Sequence, residues 1–129
     1  MDMNKRLIYV IDDEPLFARL LQVNLQRVGY EVMIELDGVQ AMSSLLDGNV
    51  SPDLVLLDLS LPHLDGIELL RGIRQNETLS QLPVIILTAI SHDADIRAAH
   101  SLGIFTYIVK PIDPKSLVKT ISDALDSDE

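Results

Sequence analysis

The chain has no cysteine and no tryptophan, and two phenylalanines and three tyrosines are its whole aromatic complement. Without thiols there is no disulfide framework, no cysteine-type zinc site and no thiol nucleophile. A chain of 129 residues must then be held by an apolar core, and at this length folding buries about two-thirds of the surface that the unfolded chain exposes. Basic residues are scarce as well: 10 Lys and Arg stand against 20 Asp and Glu, for a net charge of −10. That field opposes counterion-release binding to polyphosphates, so nucleic acid and anionic membrane are excluded as partners of this chain alone. Long apolar runs are missing too. The most extended, Leu82 to Ile90, is broken by Pro83 and Thr88 and falls far short of the roughly 20 residues of a membrane helix. Met1 to Arg6 is polar and carries neither the apolar region nor the cleavage site of a secretory leader, so the expected address is cytoplasmic.

What is present is an alternation of two periodicities. Short runs rich in β-branched residues predict strands at Leu7 to Ile11, Glu31 to Leu36, Leu54 to Leu57, Val84 to Leu87 and Ile104 to Val109. Between and after them, apolar residues at three-to-four spacing predict helices over Leu16 to Val28, Val39 to Leu46, Ile67 to Arg74, Ile96 to Leu102 and Leu117 to Leu125. The punctuation agrees. Glu14-Pro15 and Asp113-Pro114 put proline at a first helical position, Asp65 and Ser91 can cap the helices they precede, and Gly29, Gly48 and Gly103 fall where helices should stop. Strands alternating with crossover helices argue for an α/β fold, a parallel sheet covered on both faces.

Four of the five apolar strands run out into polar residues of a particular kind: Asp12-Asp13, Asp58, Thr88 and Lys110. Taken singly, each has an ordinary reading as a helix cap, loop residue, strand-end hydroxyl or solvated turn. Ligands of open α/β sheets bind beyond the carboxyl ends of the strands, so the four positions are expected to converge on one rim. Three carboxylates there repel one another unless a cation sits among them, and oxygen donors favour a hard divalent ion such as Mg²⁺. A carboxylate nucleophile, a hydroxyl and a lysine around such an ion suit phosphoryl transfer, with Asp58 as the residue that accepts the group.

These residues sit in four ordered motifs: Ile11-Asp12-Asp13-Glu14-Pro15, Asp58-Leu59-Ser60-Leu61-Pro62-His63-Leu64-Asp65-Gly66, Leu87-Thr88-Ala89 and Tyr107-Ile108-Val109-Lys110-Pro111. With them the chain resembles the receiver domain of two-component response regulators, including the single-domain chemotaxis type, from Leu7 to about Leu125. The resemblance implies a flavodoxin-like, doubly wound sheet of five parallel strands in the order 2-1-3-4-5 with helices on both faces, and one receiver domain over residues 1–129 with a core at 7–125 and an acidic tail. It implies that Asp58 is the phosphoacceptor, and that Asp13, Asp58 and the Ser60 carbonyl bind Mg²⁺ while Asp12 holds the ion through water. Thr88, Lys110 and the Ala89 backbone N–H would contact the phosphoryl group, Lys110-Pro111 would be a cis peptide, and Thr88 and Tyr107 would form the conformational switch. Leu61, Ser60 and Ile90 depart from, or vary within, the family's pattern.

The implied partners are a histidine kinase or histidine phosphotransfer domain, meeting the first helix around Phe17, Arg19 and Leu20, and a downstream protein effector. The effector would read the face formed by the fourth helix, fifth strand and fifth helix. The chain is expected to be a signalling switch, a monomer or weak dimer, that catalyses only its own phosphorylation and slow dephosphorylation. His63, His92 and His100 lack metal-ligand spacing. Two other readings stand beside this one: a Mg²⁺-dependent phosphohydrolase with an aspartate nucleophile, and an unphosphorylated interaction module. The first needs an Asp-x-Asp-x-Thr run where this chain has Asp12-Asp13-Glu14-Pro15-Leu16. Nucleotide binding is weaker still, because no glycine-rich loop follows the first strand. Ile90 offers no group to orient an attacking water, so an aspartyl phosphate here is expected to outlive that of relatives with a polar residue at this position; a half-life of seconds in a decay assay would refute that expectation.

Overall fold

A computed structural model describes residues 5–89 and 93–126. The apolar runs become β1 (Leu7–Ile11), β2 (Glu31–Glu35), β3 (Leu54–Asp58), β4 (Val84–Thr88) and β5 (Thr106–Val109). The amphipathic segments become α1 (Pro15–Arg27), α2 (Gly38–Leu46), α3 (Gly66–Gln75), α4 (Asp93–Leu102) and α5 (Pro114–Asp126). All strand pairs are parallel, in the order β2-β1-β3-β4-β5, as the resemblance implied. The order reverses between β1 and β3, which opens a crevice at their carboxyl ends.

Period-two alternation sends successive strand residues to opposite faces. Tyr9, Ile11, Val55, Leu57, Val84 and Ile86 pack with α2, α3 and α4, whereas Ile8, Val10, Leu54, Leu56, Ile85 and Leu87 pack with α1 and α5. Every residue of β3 and β4 is buried, which is why these strands carry no polar face. Full burial of each such aliphatic side chain contributes about 1.5–3 kcal/mol, so the two central strands form the stiffest support for what lies at their ends. Among the described residues no helix is long and apolar enough to cross a membrane.

Local signals set most boundaries. Proline opens α1 and α5, Asp65 caps α3 by accepting the Ile67 N–H at 3.0 Å, and Gly29, Gly48 and Gly103 take positive φ where α1, α2 and α4 stop. Ser91, the cap expected before α4, lies outside the described residues. Asp37 caps α2 through the Val39 N–H at 2.8 Å, a role not read from the sequence. Two boundaries extend inward: β3 and β4 each include their terminal polar residue, Asp58 pairing with Leu87 and Thr88 with Val109. β5 begins later than expected, because Ile104 packs against the core below the ladder while the Phe105 N–H already reaches the Val84 carbonyl at 2.8 Å.

Gly66 holds the start of α3 against the chain that leaves β3. A Cβ there would lie 2.6 Å from Leu59 Cα and 2.8 Å from the Asp58 carbonyl oxygen, both backbone atoms. Gly66→Ala is therefore expected to lower the unfolding free energy by about 1–3 kcal/mol. Gly72→Ala, whose added methyl meets only the flexible side-chain end of Met42, should cost less in the same urea titration. Equal stability of the two variants would refute the close-approach argument.

Candidate functional site

The carboxyl ends of β1, β3 and β4 and the residue after β5 bring Asp12, Asp58, Thr88 and Lys110 to one rim. Asp12, Asp58 and Thr88 are the buried polar residues of the described chain. Each aspartate is oriented by a turn in its own loop. Asp12 Oδ1 accepts the Glu14 N–H at 2.9 Å, and Asp58 Oδ1 accepts the Ser60 N–H at 3.0 Å. Such local side-chain-to-backbone bonds are characteristic of aspartate at strand-to-helix turns, and they leave one oxygen of each carboxylate free to face inward.

Those inward oxygens meet Lys110. Its Nζ lies 2.8 Å from Asp12 Oδ2 and 3.5 Å from Asp58 Oδ2, with a third carboxylate, Glu14 Oε1, at 2.7 Å. The Lys110 side chain is 10% exposed, those of Asp12 and Asp58 are 0% and 5%, so the ammonium is the counter-charge that makes their burial tolerable. Lys110 is itself placed by its backbone N–H, which donates to the Thr88 carbonyl at 2.7 Å, and the Lys110-Pro111 peptide is cis. Burial pushes the Asp12 carboxyl above the ordinary aspartate value, against the pull of hydrogen bonds from Lys110 and the Glu14 amide. Desolvation works against the lysine's charge, but hydrogen bonds to Asp12 and Glu14 and the nearby carboxylate charges lift it above the ordinary lysine value. Both shifts draw positive charge into the cluster.

One oxygen from each of Asp12, Glu14 and Asp58 falls within a 4.8 Å group able to hold a metal ion. An all-carboxylate set suits a hard, oxygen-seeking divalent cation over zinc. Asp13, a metal ligand by resemblance, is exposed and is not in that trio, whereas Glu14, quoted above only as part of a motif, is. Ser60 and Ala89 are exposed at the rim, and Ala89 shares with Glu14, Phe17, Leu20, Lys110 and Pro111 a cleft of about 450 Å³. Phe17 lies under the lysine, 4.3 Å from Nζ to the ring centroid. Tyr107 projects from β5 with 38% of its surface exposed and meets His100 of α4 edge-on, ring centroids 6.0 Å apart. His63, at a φ of 67°, faces Asp37 with Nδ1 at 3.3 Å from Oδ2. Ile90 and His92 lie outside the described residues.

The sequence signal for Glu14 and Phe17 was weak. Both begin the first helix, and nothing local ties them to a lysine 96 and 93 positions later. If Lys110 is replaced by Met, two buried carboxylates lose their counter-charge, and stability at neutral pH should fall by about 3–5 kcal/mol. The sign of the pH dependence follows from Asp12. Its folded value lies above the unfolded one, so the folded state binds the extra proton, and stability rises as pH falls through that raised value toward the ordinary aspartate range. Urea titrations of Lys110→Met at neutral and mildly acidic pH should show partial recovery in acid; an equal deficit at both would place the loss elsewhere.

With this geometry in place, the chain can be set beside known proteins. A family model described as the response regulator receiver domain matches residues 8–122. The probable transcriptional regulator ycf27 of Porphyridium aerugineum is 40% identical over 123 residues, 95% of this chain and 49% of that protein. The chain spans about half the length of the curated relatives it matches. Among solved structures, the CheY-like response regulator receiver domain protein of Methanospirillum hungatei JF-1 superposes with a TM-score of 0.90 at 25% identity, over 97% of each chain. The Mn²⁺-bound form of response regulator Rcp1 superposes with a TM-score of 0.79 at 33% identity, over 92% of this chain and 90% of that one. A fold shared along nearly the whole length, and a family match that takes in β1 through most of α5, lead to one conclusion: the chain belongs to the response regulator receiver domains of two-component signalling.

Proposed function

We propose that residues 1–129 act as one cytoplasmic receiver unit that takes a phosphoryl group from a phosphohistidine on a kinase or phosphotransfer domain. Asp58 is the acceptor. The observation that carries this reading is the convergence of two buried carboxylates, Asp12 and Asp58, on the ammonium of Lys110. Burial of this kind is costly for a chain that only needs to fold, and it suits a site that must receive a group of high negative charge.

An Asp58 carboxylate oxygen attacks phosphorus, the phosphorus–nitrogen bond to the partner's imidazole breaks, and the product is a mixed carboxylic–phosphoric anhydride on Asp58. The Ser60 N–H bond to Oδ1 holds the carboxylate in orientation, and positioning supplies much of the catalysis in phosphoryl transfer. Lys110 neutralises charge on the transferred oxygens as a compact, flexible cation. Asp12, Asp13, Asp58 and the Ser60 carbonyl are the residues that would hold Mg²⁺. The ion, when bound, supplies charge neutralisation for the phosphoryl oxygens. The oxygen donors of Asp12 and Asp58 fit such an ion, and the Mn²⁺-bound Rcp1 structure supports the same preference in a relative.

Thr88 and the Ala89 N–H lie at the end of β4 for contact with the phosphoryl group, and Tyr107 is the aromatic that responds. Its exposed ring on β5 beside α4 supports an output face made of α4, β5 and α5, read by a downstream protein effector or by a domain attached to the chain. Complete conversion between two states at 99:1 would need about 5.5 kcal/mol of differential stabilisation; a partial shift completed by the effector is the more economical scheme. A receiver of this kind is a switch and turns over no outside substrate.

Intact mass after incubation with a small acyl phosphate or phosphoramidate tests the assignment. One phosphoryl adduct is expected in the wild-type chain with Mg²⁺, and none without Mg²⁺ or in Asp58→Ala. An adduct persisting in Asp58→Ala would refute Asp58 as acceptor, and donor breakdown with no adduct would favour a phosphohydrolase.

A further inference from the structure

Lys110 is gripped from α1 by two residues that the phosphoryl chemistry above does not use. Glu14 is the residue preceding the first turn of α1, yet its side chain makes no capping bond; its carboxylate accepts from Lys110 Nζ at 2.7 Å instead. Phe17 presents its ring face to the same Nζ at 4.3 Å, within the range of a cation–π interaction. An ammonium has three N–H donors. Two are engaged in short charge-assisted bonds, to Asp12 at 2.8 Å and Glu14 at 2.7 Å, and Asp58 is left with the longest approach, 3.5 Å. A phosphoryl group on Asp58 would draw the remaining N–H, and with it the ammonium, to its own oxygens, in competition with the two short bonds. Glu14 is the partner that can be released, since its side chain is 60% exposed and Asp12 is fully buried. A carboxylate that swings into water leaves no stranded charge behind.

We propose that Glu14 and Phe17 are positioning residues that hold the Lys110 ammonium against α1, so that their grip sets how readily Lys110 engages a phosphoryl group on Asp58. In this assignment Glu14 is the counter-ion of the lysine and not a metal ligand, although its carboxylate lies within reach of Asp12 and Asp58. The proposal rests on the reading of Asp58 as phosphoacceptor.

The test uses the whole chain and two small probes, MgCl₂ alone and then beryllofluoride with Mg²⁺ as the phosphoryl mimic. Glu14→Gln keeps the size of the side chain and removes its charge; Phe17→Leu keeps an apolar side chain and removes the ring face. Glu14→Gln should bind Mg²⁺ as the wild type does in calorimetry and take up beryllofluoride about two- to fivefold more tightly, the range expected for one partly exposed ion pair. Phe17→Leu should shift affinity in the same direction. The Lys110 ammonium resonance, slowed in its exchange with water in the wild type, should exchange faster in both variants, a change that a merely structural role would not produce. Unchanged beryllofluoride affinity in both variants, with a wild type that forms the adduct, would overturn the proposal and leave Asp58 in its role. Weaker Mg²⁺ binding by Glu14→Gln would overturn it by making Glu14 a metal ligand. A wild-type chain that takes up no beryllofluoride would remove the phosphoacceptor reading and this proposal with it.

Discussion

Two carboxylates buried at the ends of neighbouring strands are costly without a nearby cation, and the ammonium of Lys110 offsets that cost beside Asp12 and Asp58. Much of the architecture is arranged around this pairing. β1 and β3 lie side by side at the reversal of strand order, which brings the two aspartates together, and β5 lies one strand beyond, across β4. The lysine reaches over the end of β4, where the Thr88 carbonyl takes its backbone N–H at 2.7 Å. A different strand order would leave the same residues without compensation.

Local and long-range forces divide the work of the site. The direction of each carboxylate is set within its own loop, by the Glu14 amide for Asp12 and the Ser60 amide for Asp58. Its charge is balanced from the other end of the chain. Beneath them, β3 and β4 are buried on both faces between two apolar layers, and close packing of this kind resists displacement. The loops above carry no such load. In the proposed scheme, adjustments on phosphorylation would fall to side chains at the rim, Lys110 and Thr88, and to Tyr107 on the edge strand, whose ring is only partly covered by α4.

The positions of strands and helices were legible because periodicity, proline and aspartate caps act over a few residues. Leu7 to Ile11 coincides with β1, and Pro15, Asp65 and Pro114 mark helix starts as their chemistry requires. The polar residues at the strand ends were legible as a set: each alone has an ordinary local use, but an aspartate pair, an aspartate, a threonine and a lysine closing four of five apolar runs point to one rim. The second role of Asp37 was not legible: its cap on Val39 is local, but its contact with His63, which joins it to the loop after β3, spans the fold. Glu14, and the contact of Phe17 with Lys110 as distinct from its expected place on the partner-facing surface of the first helix, were not, because helix-start residues at the edge of an apolar stripe have many ordinary uses.

By itself, then, the sequence pattern determined a parallel sheet covered on both faces with Asp12, Asp58, Thr88 and Lys110 expected at one rim, since strand ends are fixed by local pattern and parallel crossovers carry them to the same side; the doubly wound strand order was implied only by the family resemblance. Tertiary structure alone decided which acidic side chain closes the cluster. Glu14 turns inward to Lys110 while its neighbour Asp13 stays exposed, although the two are chemically alike and adjacent in the chain. That choice depends on the direction each side chain takes at the entrance to α1 and on a lysine brought there from 96 residues away, a distance over which no sequence periodicity reaches.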